Sequence, residues 1–274
     1  MDLVYASRTD IGMIRAGNED NLYAHANKQR GIFIVADGMG GHAAGEVASE
    51  MAVQIVTREL APLNDVRGDG AAELVRKALK DANHAIFLRT LEEVDKQGMG
   101  TTVSALILSG SRFLIGQVGD SRVYLLRDGQ LKQITKDHSY VQEQVDAGYL
   151  TPEQARYHPY SNVITRCVGA GENVEPDIYG GEMKPGDLWL VASDGLTGMV
   201  DDRRLHNILL SRSGPGRLVD ALIAEANGRG GLDNITAIVV QVVSVDAENN
   251  GGPPGDSPTD EIPVVPRTGG QARG

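Results

Sequence analysis

Ile32-Phe33-Ile34-Val35-Ala36-Asp37-Gly38-Met39-Gly40-Gly41-His42 is the stretch on which the fold turns. Its first five residues are apolar without a break, as in a strand buried on both faces. Two helical patterns follow. In the first, Val47, Met51 and Ile55 recur every four residues, with Ala48, Ala52 and Val56 beside them. In the second, Leu74, Val75, Ala78, Leu79 and Ala82 do the same. Both fit amphipathic helices packed on one side. Runs rich in β-branched and apolar residues return at 101–108 and 113–118. Residues 122–127 then lead through Asp128-Gly129 into 130–134, a strong hairpin signal. Leu188-Trp189-Leu190-Val191-Ala192 reads as another buried strand, 203–210 and 217–226 as helices, and 235–243 as a last strand. Strands cluster and helices come in pairs. That grouping predicts an α+β fold with antiparallel sheets, not a doubly wound one.

Composition narrows the function. The chain has 274 residues, 41% of them apolar and 23% charged, an ordinary globular balance that can bury a full core. A net charge of −11 argues against nucleic acid or anionic lipid as main partner. Aromatics are only 4%, which disfavours a base-stacking surface. The single cysteine, Cys167, excludes an internal disulfide framework and a thiolate metal cluster, and reads as a partly buried bystander. No run approaches the ~18 apolar residues of a membrane span. The opening MDLVYASRTD lacks the basic flank and apolar core of a signal peptide, so a cytoplasmic location is expected. Residues 1–245 read as one domain without linker or repeat. Residues 246–274 hold 6 Gly and 5 Pro in 29 positions and read as a disordered tail. The alternative for the tail is a docking segment at 262–266.

Four aspartates sit at the mouths of these strands. Asp37 ends the 32–36 run before Gly38, and Asp120 follows Gly119 after the 113–118 run. Asp194 follows 188–192 and precedes Gly195, and Asp233 precedes the last strand. Asp20, after Glu19, precedes a short strand-like run at 21–24. Carboxylates gathered at one sheet end repel one another, and a hard divalent cation relieves the repulsion. No cysteine or paired-histidine ligands accompany them, which disfavours zinc or iron. Taken singly, each Asp-Gly is equally a turn signal.

Six motifs occur in order. They are Arg15-Ala16-Gly17-Asn18-Glu19-Asp20, Val35 to His42 with its Asp37-Gly38-Met39-Gly40-Gly41 centre, and Gly100-Thr101-Thr102. Then come Val118-Gly119-Asp120-Ser121-Arg122, Ala192-Ser193-Asp194-Gly195-Leu196 and Asp233-Asn234-Ile235-Thr236. Together they resemble the metal-dependent protein phosphatase family, type 2C, over roughly residues 5–243. Met39 and the compact length resemble its bacterial branch. The resemblance implies a four-layer α-β-β-α sandwich, two antiparallel β-sheets flanked by helix pairs. It implies hydrolysis of phosphoserine and phosphothreonine in proteins with Mn²⁺ or Mg²⁺, two core ions and a third. By the same resemblance Asp37 bridges two metals and the Gly38 carbonyl is a ligand. Asp194 and Asp233 hold one ion, while Glu19 and Asp20 sit at the other side of the pair. Asp120 is a ligand of the third ion, and Arg15 binds phosphate. Two cations ~3.5–4 Å apart lower the pKa of a shared water, which attacks phosphorus in line. No protein nucleophile is implied.

One departure concerns the acid. Many eukaryotic members carry His where this chain has Met39. His42 and metal-bound water at the third site are the candidate general acids here, and His42 is otherwise a capping residue at the start of the next helix. Met39 reads as packing at the site edge. Thr101 and Thr102 read as local hydrogen-bonders, and Arg122 either orients Asp120 or makes a surface ion pair. Asn234 is a candidate to hold Asp233 in place. His25, His84, His138, His158 and His206 show no metal spacing and read as structural. Residues 139–165, polar with a helical pattern near 141–147, resemble the family's flap, expected to influence substrate choice and the third metal. The expected partners are phosphoproteins, including a bacterial-type Ser/Thr kinase and its targets, met by a monomer. The alternatives are an inactive phosphoprotein-docking relative, or a two-metal phosphoesterase acting on small phosphates.

Overall fold

A computed structural model describes residues 1–246, the side chains of His42, Ala43 and Asp69 excepted. The tail reading at 246–274 therefore lies outside the described residues beyond Asp246, which bonds to the Gly110 carbonyl. The chain runs β1 (Asp2–Asp10), β2 (Asp20–Ala26), β3 (Arg30–Met39), α1 (His42–Glu59), α2 (Asp69–Glu92) and β4 (Gly100–Thr101). It continues through β5 (Val103–Ser109), β6 (Arg112–Val118), β7 (Arg122–Arg127), β8 (Gln130–Gln133), α3 (Tyr140–Asp146) and α4 (Pro152–Arg156). It closes with β9 (Asp177–Glu182), β10 (Leu188–Ala192), α5 (Asp194–Thr197), α6 (Asp202–Leu210), α7 (Pro215–Gly228) and β11 (Ile235–Ser244).

Two antiparallel sheets result. One has the order β1-β11-β10-β7-β8; the other has β2-β3-β5-β6-β9, with β4 on the end of β3. Alternation along β3 explains the layering. Phe33 and Val35 point between the sheets, where they meet Trp189, Val191, Ile238 and Val240. Ile32, Ile34 and Ala36 face Ala48, Ala52, Val75 and Leu79 of α1 and α2. On the other side, Leu188, Leu190 and Ala192 face Leu205, Leu209, Leu218 and Leu222 of α6 and α7. Each central strand is thus buried on both faces, which is why its sequence is apolar without alternation. The four-layer expectation holds.

Three local details differ from the sequence reading. The 101–108 run is divided at Thr102, where the Asp37 N–H donates to the Thr102 hydroxyl at 3.0 Å and only the Asp37 carbonyl keeps a backbone bond, from the Thr102 N–H at 2.9 Å. β9 gave no sequence signal: DIYGGE has two glycines and acidic ends, and it becomes a strand only by pairing with β6. α4 also escaped notice, although Thr151 and Gln154 form a capping box with Pro152 in the first turn. The Asp128-Gly129 hairpin holds, with both residues at positive φ as the tight turn requires.

Candidate active site

The ends of β2, β3, β10 and β11 meet at one edge of the sandwich. Asp20 and Asp37 are directly opposite in the β2–β3 pair. Asp194 starts α5 immediately after β10 and Ser193, and Asp233 lies two residues before β11. Asp120 lies two residues after β6. The sheets therefore bring the sequence-predicted acids together from five separate segments.

Hydroxyl and amide groups fix their backbones. Asp37 is held on both sides: its N–H by Thr102, its carbonyl by the Thr101 hydroxyl at 2.9 Å and the Thr102 N–H at 2.9 Å. Both threonines are fully buried, so their role is to fix Asp37. The Glu19 carbonyl accepts from the Ser49 hydroxyl at 2.6 Å and from the Gly38 N–H at 3.2 Å. The Glu19 carboxylate packs on Gly45, where a Cβ would lie 2.1 Å from Oε2. The same Cβ would lie 2.9 Å from the Gly38 carbonyl carbon, a backbone contact that disfavours a side chain at this position in the first turn of α1. Asp20 Oδ2 accepts from Ser193 at 2.8 Å and Thr236 at 2.6 Å.

Asn234 does more than hold Asp233. Its backbone N–H donates to Asp233 Oδ1 at 2.8 Å. Its side-chain carbonyl accepts from the Glu19 N–H at 2.8 Å, and its amide donates to the carbonyls of Ile11 and Gly17, both at 2.9 Å. Arg15 reaches across to Asp233 Oδ2 at 2.6 Å.

The acids are electrostatically frustrated. Burial pushes the Asp20 carboxyl up to about 7, despite its two hydroxyl donors, with Asp194 and Asp233 adding to the push. Burial also raises Asp37 well above the carboxylate range, helped by Asp20, Asp194 and Asp120. Asp120 is raised by burial and by Asp194 and Asp137, and burial raises Asp194 as well. Burial opposes the Arg15 charge, but the bond to Asp233 and the charges of Asp233, Glu19 and Asp37 raise its pKa. Such a cluster calls for positive charge.

The donor set fits a hard divalent cation. Every donor is oxygen, and one Oδ1 atom on each of Asp20, Asp120 and Asp194 is buried without a hydrogen-bond partner. Among the described residues no three such side chains already close into a metal cage. Asp233 is turned onto Arg15, and Asp20 Oδ2 onto its hydroxyls. The chemistry of the set, rather than a closed geometry, is what suits a metal.

Arg122 departs from one of its two sequence readings. Arg122 does not bond Asp120. It forks onto Asp137 at 2.7 and 3.0 Å and donates to the Tyr124 hydroxyl at 3.0 Å, though its charge favours the ionised form of Asp120. His42 begins α1, and its side chain lies outside the described residues. His138 is structural, as its sequence reading has it, and its partners are specific. Its Nδ1 accepts from the Gly119 N–H at 3.0 Å, and its own N–H donates to the Gly119 carbonyl at 2.9 Å. Its Nε2 lies 3.1 Å from Asp177 Oδ2 and 3.0 Å from Arg166 Nη1, which itself donates to Asp177 Oδ1 at 3.0 Å. The His138 carbonyl accepts from Thr165, closing the base of the 139–165 segment. The sequence signal was its place in Asp137-His138-Ser139, between strand and flap, which spacing rules for metals do not detect. Met39 is half-buried and pairs with Gly100. Cys167 is half-buried, and burial pushes its thiol up.

Comparison with known proteins gives a consistent result. The model of the family "Protein phosphatase 2C" matches residues 15–216. The serine/threonine protein phosphatase PstP of Mycobacterium tuberculosis is 44% identical over 246 residues, 89% of this chain and 46% of that protein. The chain thus spans about half the length of that relative. The serine/threonine phosphatase stp of Listeria welshimeri is 42% identical over 85% of this chain and 94% of its own. Among solved structures, the M. tuberculosis phosphatase PstP/Ppp superposes with a TM-score of 0.79 at 41% identity, over 88% of this chain and 99% of that one. A PstP catalytic domain in complex with two manganese ions superposes with a TM-score of 0.76, also at 41% identity, over 88% of this chain and 99% of that one. The family match covers most of the chain, and the chain belongs to the protein phosphatase 2C family.

Proposed function

We propose that this chain hydrolyses phosphoserine and phosphothreonine esters in proteins with the help of Mn²⁺ or Mg²⁺. The observation that carries the reading is the buried carboxylate cluster with three unpartnered oxygens beside an arginine. The names of the relatives and the two manganese ions of the PstP complex support it. We assign the activity to residues 1–245 and treat 246–274 as a tail.

In this reading Asp37, Asp194 and Asp233 would hold one ion, and Glu19, Asp20, Asp37 and the Gly38 carbonyl a second. Asp120 and Asp194 would hold a third. When bound, the ions supply a water acidic enough to be deprotonated near neutral pH and offset charge on the phosphoryl group. The chain's own residues do the rest. Thr101, Thr102, Ser49 and Asn234 hold Asp37 and Glu19 in position. Arg15, once released from Asp233, turns its fork to two phosphoryl oxygens. His42 is assigned the proton for the leaving alkoxide, from its position at the start of α1. The substrates are phosphoproteins made by a bacterial-type Ser/Thr kinase, and the enzyme acts as a monomer in the cytoplasm.

Phosphate release from a phosphothreonine peptide tests the proposal. Release is expected with Mn²⁺ and should vanish in excess EDTA and in Asp194→Ala. Release unaffected by EDTA would sink the metal reading. No release by folded, Mn²⁺-loaded protein would sink the phosphatase reading itself.

A further inference from the structure

Ile11, Met13, Ile14 and Leu232 stand in water beside the site. They are 40%, 65%, 67% and 57% exposed, unusual for large aliphatic side chains gathered in one place. They sit on two touching loops, since the Met13 N–H donates to the Gly231 carbonyl at 2.8 Å. The loops are braced. Asn234 holds the Ile11 and Gly17 carbonyls, the Gly12 N–H and Asn227 both donate to Asp10, and Arg15 grips Asp233. Apolar groups are thereby held outward on a fixed backbone.

Their neighbours in sequence decide what they could meet. Ile14 precedes Arg15, and Leu232 precedes Asp233. Consecutive Cα atoms lie about 3.8 Å apart, so a phosphoester at Arg15 brings the residues flanking it within one or two side-chain lengths of the patch. We propose that this patch receives a bulky apolar side chain flanking the phosphorylated residue of a protein substrate. The inference rests on the phosphatase reading above and adds a sequence preference to it. A second copy of the chain is a poorer occupant. The four side chains offer roughly 400 Å², against the ~800 Å² per partner of a stable dimer. A small phosphate ester would not extend far enough to use the patch.

The test compares two phosphothreonine peptides that differ only in the flanking residues, Leu in one and Ser in the other, with para-nitrophenyl phosphate alongside. The wild-type protein should favour the Leu peptide about tenfold in kcat/KM. Ile14→Ser combined with Leu232→Ser should bring that ratio close to one, and Met13→Gln, polar but of similar length, should reduce it. Circular dichroism checks that each variant is folded. Equal rates on both peptides with wild-type protein that cleaves the aryl phosphate would overturn this inference and leave the phosphatase reading standing. A ratio that survives all the substitutions would overturn it too. A concentration-dependent dimer abolished by the substitutions, with the ratio unchanged, would give the patch to a second copy. Hydrolysis of none of the three substrates would remove the phosphatase reading and this inference with it.

Discussion

Removing the Asn234 side chain would strand the Glu19 N–H and the carbonyls of Ile11 and Gly17 together. Asn234→Ala should therefore cost about 1–3 kcal/mol in urea unfolding, because the buried Glu19 N–H and two part-buried carbonyls lose their partner. A loss below about 0.5 kcal/mol would place Asn234 among ordinary surface positions. Arg15 makes a subtler case. It holds Asp233 in the described state and is assigned to phosphate in the working one. Arg15→Ala should raise KM for a phosphopeptide about tenfold or more while leaving Mn²⁺ affinity equal or tighter, since Asp233 is freed. An unchanged KM removes Arg15 from the phosphate site. Weaker Mn²⁺ binding would show that the ion pair helps to hold Asp233 for the metal rather than competing for it.

Elements explain what the sequence made legible. Strands buried on both faces announce themselves as unbroken apolar runs, so the 32–36 and 188–192 segments were readable from composition alone. The carboxylates were readable because each ends or precedes such a run. β9 was not, since its strand character comes from its neighbour β6 and not from its own residues. The structural role read for His138 came without its partners for a related reason. Its partners Gly119 and Asp177 are brought to it by β6 and β9, which are distant in sequence. Arg122 makes an ion pair, as one of its two readings has it, but its partner Asp137, fifteen residues away, is buried rather than at the surface. His138→Phe keeps a flat ring but strands the Gly119 N–H, and should cost about 1–3 kcal/mol in unfolding free energy. His138→Asn places an oxygen near the former Nδ1 and should recover much of that. Equal losses in Phe and Asn would mean that ring packing, not the bond to Gly119, is what matters.

The whole molecule carries the strain of its acidic edge. Asp20 is raised to about 7, and Asp37, Asp120 and Asp194 are raised with it. A carboxyl raised in this way binds its proton more tightly folded than unfolded. Its contribution to stability is intact below about pH 4 and is lost as pH rises through the folded value. These groups should therefore make the metal-free protein lose stability between about pH 4 and 7. Divalent cations need the ionised acids, so the rise in Tm caused by Mn²⁺ should grow over the same interval. A Mn²⁺-induced Tm shift that is the same at pH 5 and pH 8 would contradict the cluster as the binding site. The central claim is that these strand-end acids form one metal site that drives phosphoester hydrolysis. The most direct measurement is calorimetric titration of wild-type protein and Asp37→Asn with Mn²⁺ at pH 7.5, with phosphate release from a phosphothreonine peptide followed on the same samples. Wild-type protein should bind at least two ions and release phosphate, and folded Asp37→Asn should lose both together. Unchanged Mn²⁺ binding in Asp37→Asn, or turnover that persists without it, would contradict the claim.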